Sequence, residues 1–325
     1  MRRAVIFGAG QIGQACASAL AGEGWQVATL DRQAFAEGMP FDRSSIASLA
    51  ASIGDGADLL IDTIGYDRAD ADLLPPLADG IGQLITISSA SVYADAAGRS
   101  LDEARIGGFP EFDGPIAETQ ATVPPGDETY STRKVAMEQR LLDALRCPVA
   151  VLRPCAVHGV ASRHPREWWF VKRLLDGRRV VPLAYDGDSQ FQTIAAASIG
   201  RLATLLASRR TSGIFNIADR DAPTVAEIGA LIAARMARPI QFRRLAGRPR
   251  HHVGQSPWWV PRPYLIDSGA ALAIGHTHDG DYSAHVAPLI DWLAATGSDG
   301  DWKQRFPGLA AYGFDLFDYA AEDAA

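Results

Sequence analysis

The sequence predicts an α/β fold: a doubly wound parallel sheet with a smaller C-terminal substrate lobe. Three observations carry this. Short apolar runs alternate with helical stretches over the first 155 residues, and a glycine fingerprint follows the first run at once. Further on, a serine-rich strand end precedes a Tyr and a Lys spaced one helical turn apart, Tyr130 and Lys134.

Arg2–Phe7 reads as a buried parallel strand, because its apolar residues continue without alternation. Gly8-Ala9-Gly10-Gln11-Ile12-Gly13 then opens an Ala-rich helix running to about Ala21, closed by Gly22 and Gly24. A second strand, Trp25–Leu30, ends at Asp31. Strand, GxGxxG, helix, strand and acid together make a dinucleotide-binding pattern. Gly8 makes the tight turn, Gly10 lets backbone approach a pyrophosphate, and Gly13 allows close helix–strand packing. Gln11 and Ile12 lie between Gly10 and Gly13, where the helix N-terminus faces the phosphates. Asp31 can accept both ribose hydroxyls of NAD and would repel a 2′-phosphate, whereas Arg32 could pair with that phosphate or stack on adenine. NAD is the favoured cofactor, and NADP stays open. Asp42, after a short third strand region, either holds the adenine amino group or caps a helix starting at Ser44.

The alternation continues with a fourth strand at Ala57–Asp62, followed by Thr63-Ile64-Gly65 as a tight turn beneath the cofactor. A fifth strand, Leu84–Ile87, ends at Ser88-Ser89-Ala90-Ser91-Val92-Tyr93. Ligands of open parallel sheets bind beyond the carboxyl ends of the strands, so the serine cluster lies where chemistry is expected. A hydroxyl there could hydrogen-bond a substrate carbonyl while a phenol delivers the proton. Tyr130 and Lys134 share one helix face. A free phenol titrates near ~10, and a neighbouring cation would draw it toward the working range.

At these motifs the chain resembles an extended short-chain dehydrogenase/reductase of the NAD-dependent epimerase/dehydratase family, a Rossmann fold. The family's glycine loop corresponds to residues 8–13 and its SSxxVYG strand end to Ser88–Tyr93. YxxxK falls on Tyr130 and Lys134, with Glu138 one turn later. The LRPxNVYG strand corresponds to Leu152–Gly159, with Pro154 among the expected cofactor contacts. Gly213–Ile217 and Thr224–Ile228 match a later strand and helix start. The resemblance implies that Ser89 positions the reacting oxygen, that Tyr130 exchanges its proton, and that Lys134 lowers the Tyr130 pKa and holds the nicotinamide ribose.

Departures narrow the substrate. Ala156 stands where nucleotide-sugar enzymes of the family carry Asn, and Gln192 or a neighbour replaces an Arg, so two phosphate-clamping groups are missing. Ala90 and Ser91 stand where the dehydratases carry an acidic pair. The expected substrate contacts are Ser89, Ala90, Ser91, Tyr130 and Gln192, with Arg166 and Trp169 from a segment whose adjacent aromatics near a helix start favour core packing over substrate contact.

Composition agrees with an enzyme of this kind. The chain has 325 residues, 47% hydrophobic, and a net charge of −7, which argues against nucleic acid or an anionic membrane as partner. Cys16, Cys147 and Cys155 are too few and too scattered for a disulfide scaffold, and with no apolar span a cytoplasmic location is expected. Expected domains are a dinucleotide-binding domain over 1–155, rejoined by 185–220; a substrate lobe from 156–184 and 221–279; and a C-terminal helix and docking tail over 280–325, whose last six residues should fray. The resemblance also implies a homodimer through the Tyr130 helix, where Val135, Met137, Leu141 and Leu142 form an apolar face that an internal core explains equally. The functions in view are a dehydrogenase or reductase acting on a small carbonyl or hydroxyl metabolite, a nucleotide-sugar epimerase, and a cofactor-sensing or RNA-binding protein on the same fold.

Overall fold

The computed structural model describes residues 1–31, 35–36, 39–104, 107–278, 280–297 and 300–325. Contacts divide the chain into two compact units. One comprises Met1–Cys155, Ala196–Ala218 and Ile266–Thr277; the other comprises Ala156–Ala195, Asp219–Leu265 and His278–Ala325.

The first unit opens with β1 (Arg3–Phe7), α1 (Gln11–Gly22), β2 (Gln26–Leu30) and α2 (Ile46–Ile53). It continues with β3 (Leu59–Asp62), β4 (Leu84–Ile87), α3 (Tyr130–Ala144) and β5 (Val149–Pro154). The second unit begins with β6 (Ala156–His158), α4 (Trp168–Leu175), β7 (Val180–Ala184) and β8 (Thr193–Ala195). α5 (Ala196–Arg209) and β9 (Gly213–Ile217) belong again to the first. α6 (Val225–Arg235), β10 (Gln241–Leu245), α7 (Tyr282–Thr296) and α8 (Tyr319–Ala324) belong to the second.

The first unit is built on six parallel strands in the order β9-β5-β4-β3-β1-β2. Ala4–Phe7 is wholly buried, as an unalternating apolar run requires. After β1 the chain adds β2 on one side and β3 on the other, so the carboxyl ends of β1 and β3 flank a topological switch point. A β-carbon on Gly13 would overlap the Gly8 carbonyl oxygen, so glycine sets how closely α1 sits on its strand. Helix α3 starts at Tyr130 because Thr129 and Thr132 cap it reciprocally: Thr132 Oγ1 accepts the Thr129 N–H at 2.9 Å and Thr129 Oγ1 accepts the Thr132 N–H at 3.3 Å. Val135, Met137 and Leu141 of this helix are buried in the unit's own core, and only Leu142 of the apolar face is exposed.

The segment 185–220 divides between the units. β9 pairs with β5, whereas β8 pairs with β6, from Thr193 against Ala156 to Ala195 against His158. Residues 266–277 group with the first unit. Ile266 pairs with Ile116, Asn216 Nδ2 donates to the Asp267 carbonyl at 3.1 Å, and Ser268 Oγ accepts the Ala218 N–H at 3.0 Å.

The second unit has its own aromatic core of Trp168, Trp169, Phe170, Trp258, Tyr282 and Phe306. The Thr224–Glu227 capping box starts α6. Glu322 of α8 is buried and pairs with buried Arg173 at 2.5 Å, and Arg173 also donates to the Leu316 carbonyl at 2.8 Å. A guanidinium buried in an aromatic core needs that carboxylate. No helix among the described residues is long and apolar enough to cross a membrane.

Candidate active site

The glycine loop leaves the start of α1 open. Gly10 is the N-cap and supplies no side-chain acceptor, so the first-turn amides depend on something else. A β-carbon on Gly10 would meet nothing, and Gln11 Oε1 beside it is buried without a hydrogen-bond partner. Gly8, by contrast, has φ +102° and lies so close to Thr63 and Ile64 that a side chain would strike both. Thr63 Oγ1 donates to the Phe7 carbonyl at 2.8 Å, which locks this wall. Asp31 follows directly on β2, and Arg32 lies outside the described residues. An uncapped helix start, a glycine approach and an acid beyond the second strand fit NAD. Asp42 folds back on Ser44, accepting its N–H at 2.9 Å and its hydroxyl at 2.7 Å, and these bonds hold its pKa below the usual value. The cap of α2 is Ser45, not Asp42: its hydroxyl accepts the Ser48 N–H at 3.3 Å.

The two inner glycines should respond differently. Gly10→Ala is expected to keep stability within about 1 kcal/mol and weaken NAD binding roughly tenfold. Gly13→Ala should lose about 1–3 kcal/mol of stability through overpacking. Thermal denaturation with calorimetric NAD titration separates the two.

Ser89 sits just beyond β4 as the cap of a short turn, Ala90–Val92, where its hydroxyl accepts the Ser91 N–H at 3.1 Å. Ala90 is buried beneath it. Tyr130 is 40% exposed, and the Ser89 hydroxyl lies close enough to act on its phenol. Burial pushes the phenol up to about 12; the Ser89 hydroxyl opposes this, and Tyr66 and Asp102 add to it. Lys134 is buried, and its Nζ donates to the carbonyls of Gly65 at 2.5 Å and Ile87 at 3.0 Å. Desolvation brings its pKa down to about 8, against the pull of Asp62 and Glu138. The expected lowering of Tyr130 by Lys134 is therefore corrected: the ammonium is engaged by two carbonyls, 5.9 Å from the ring centre, and burial governs the phenol.

Several neighbours were not singled out in the sequence. The Tyr66 ring lies 5.9 Å from that of Tyr130. Asp102 accepts the Ser131 N–H at 2.7 Å, placing a carboxylate at the start of α3. The Ser131 hydroxyl bonds Ser91 through its carbonyl at 2.9 Å and its hydroxyl at 3.0 Å, so Ser91 anchors the helix. Behind the site, Arg153 grips Glu138 through both carboxylate oxygens, at 3.0 and 2.5 Å, and donates to Tyr93 at 3.1 Å. Tyr93 donates to Asn216 at 2.7 Å. The motif residues Tyr93, Glu138, Arg153 and Asn216 are thus one buried network. Pro154 is buried at the end of β5, opposite Ile217 of β9.

Arg166, Trp169 and Gln192 belong to the second unit. Trp169 is 1% exposed, edge-on to Phe170 and covered by the Arg173 guanidinium 3.6 Å from its ring, so it packs a core and offers no face to a substrate. Gln192 is buried, with Nε2 donating to the Asp219 carbonyl at 2.7 Å, and Arg166 is half-buried. Next to Gln192, Asp219 accepts from Thr193 at 2.8 Å and is bonded to His158 at 3.0 Å, a buried cluster whose only sequence signal is polar residues on otherwise apolar strands.

No family model matches the chain, and no curated protein matches it by sequence. Solved structures match it in fold. A UDP-N-acetylglucosamine 4-epimerase from Bacillus cereus is 15% identical with a TM-score of 0.66, covering 90% of this chain and 99% of its own. A UDP-glucose 4-epimerase from Thermus thermophilus in complex with NAD is 16% identical with a TM-score of 0.64, over 90% and 98%. A dTDP-glucose 4,6-dehydratase from Bacillus anthracis in complex with NAD is 13% identical with a TM-score of 0.68, over 95% and 100%. The chain shares the fold of these two epimerases and this dehydratase.

Proposed function

We propose that the chain is an NAD-dependent oxidoreductase that moves a hydride to or from a carbon bearing a hydroxyl or carbonyl, with Tyr130 exchanging the proton on that oxygen. One arrangement carries the reading: Ser89 just beyond β4 and Tyr130 at the start of α3, close enough for the serine hydroxyl to act on the phenol, with Lys134 a turn further along α3 and held between the ends of β3 and β4. NAD as cofactor is supported by the open glycine loop and by the NAD named in two of the three structures above. Bound there, NAD would supply the carbon that gives or takes the hydride. Tyr130, like any phenol, is protonated at neutral pH and can donate a proton to a carbonyl oxygen, although burial raises its pKa and weakens it as an acid. In the reverse direction the nearby Ser89 hydroxyl favours the phenolate. Lys134, charged below about pH 8, can donate to the nicotinamide ribose.

A small carbonyl or hydroxyl metabolite is the favoured substrate, because Ala156 has no polar side chain and Gln192 is occupied by a backbone carbonyl. The second reading, a nucleotide-sugar epimerase, is favoured by the substrates named for the two epimerases of the same fold. Ala90 and Ser91 supply no acid for a dehydratase. A cofactor sensor or RNA-binding protein would have no use for Ser89, Tyr130 and Lys134 together. Incubation with [4-²H]NADH and a panel of carbonyl metabolites, UDP-sugars and dTDP-sugars tests the choice. Deuterium in a reduced product supports the oxidoreductase. A sugar epimer without net NADH consumption supports the second reading. NAD binding without either product leaves the sensor.

A further inference from the structure

Asp62 ends an apolar strand and is 1% exposed, an expensive place for a carboxylate. Its compensation is complete. Arg43 Nη2 lies 2.5 Å from Oδ2, and Oδ1 accepts the N–H groups of Ile64 at 3.1 Å and Gly65 at 2.8 Å. Arg43 also donates to the Asp70 carbonyl at 3.2 Å, and its Nε and Nη1 are buried without a hydrogen-bond partner. A buried ion pair adds little to stability over apolar residues of similar volume, so its cost suggests another use.

The turn held by Asp62 is the one that seats Lys134. The Gly65 N–H goes to Asp62, and the Gly65 carbonyl accepts from Lys134 Nζ. A β-carbon on Gly65 would come within 2.8 Å of Asp62 Oδ2 and 3.2 Å of Met137 Sδ, so the turn has no slack. Arg43, Asp62, Gly65 and Lys134 form one connected series of contacts from the far side of the sheet end to α3.

We propose that Asp62, backed by Arg43, is a positioning residue of the site: it fixes the Ile64–Gly65 turn that seats Lys134 and keeps the Lys134 ammonium charged. The charged groups acting on Lys134 are Asp62, Glu138 and Asp70, which favour its protonation, and Arg43, which opposes it; the Tyr130 ring lies beside it. Glu138 is already tied to Arg153. The functional consequence rests on the reading of Lys134 as a ribose-holding group, but its charge state can be measured on the protein alone.

Lys134 is one of only three lysines, with Lys172 and Lys303. Lysine labelled with ¹³C at Cε therefore gives three resonances, and Lys134→Arg assigns one. Asp62→Asn should move the Lys134 titration down by about one unit, and Arg43→Gln should move it up, because the opposing charge is removed while the carboxylate stays. Calorimetric NAD affinity, falling as Lys134 loses its proton, should follow in the same order along the pH axis. An unchanged Lys134 titration in Asp62→Asn, or both variants moving it the same way, overturns the proposal. If Asp62→Asn does not fold, Arg43→Gln decides: an unchanged or lowered titration overturns it. If the wild type binds no NAD, the functional reading falls, while the resonance shifts still decide the role of Asp62.

Discussion

Tyr130→Phe should lower kcat by about 10²–10⁴-fold and leave NAD affinity close to that of the wild type. The substitution keeps the ring that packs beside Tyr66 and removes only the hydroxyl beside Ser89. In the proposed reading NAD is held by the glycine loop and the end of β2, which the phenol hydroxyl does not build. Steady-state kinetics and calorimetry on the same preparation separate the two quantities. A kcat near the wild-type value would remove Tyr130 from proton exchange. A matched loss of NAD binding would make it a structural residue of the cofactor site.

Glu138→Ala should destabilise the first unit by about 3–5 kcal/mol, because it leaves the Arg153 guanidinium buried and unpaired. Both oxygens of Glu138 are used by Arg153, and both side chains are at most 5% exposed. Arg153 also holds Tyr93, which holds Asn216, so the loss should loosen β5 and β9 together. Glu138→Gln keeps an acceptor and should cost less. Urea denaturation measures both, and a loss for Glu138→Ala below about 1 kcal/mol would mean that the pair behaves like a surface contact.

What could be read in the sequence is what local chemistry determines. The run Ala4–Phe7, the glycines at 8, 10 and 13, and the acid after Leu30 each declare a strand, a turn or a contact within a few residues. Ser89, Tyr130 and Lys134 were legible because a strand end and a single helix turn set their positions. Partners far apart along the chain were not. Lys134 is seated by carbonyls 69 and 47 residues away, and nothing in a side-chain pattern marks a carbonyl as an acceptor. Burial raises the Tyr130 phenol, and burial of a side chain depends on contacts that its own helix does not set. Trp168, Trp169 and Phe170 are consecutive aromatics, so helical spacing alone could not tell which would face a core; all three do. The tail is held by Arg173 across 149 residues, a pairing that a terminal Ala-rich stretch does not advertise. β8 joins β6 for the same reason, since pairing between distant short strands leaves no local mark.

The most direct test is calorimetric titration of the purified chain with NAD(H) and with NADP(H). The account predicts saturable binding of NAD(H), with NADP(H) weaker by at least about tenfold, because the Asp31 carboxylate favours ribose hydroxyls and repels a 2′-phosphate. Binding of neither cofactor would contradict the account at its root, since every role assigned to Ser89, Tyr130 and Lys134 presumes a nicotinamide beside them.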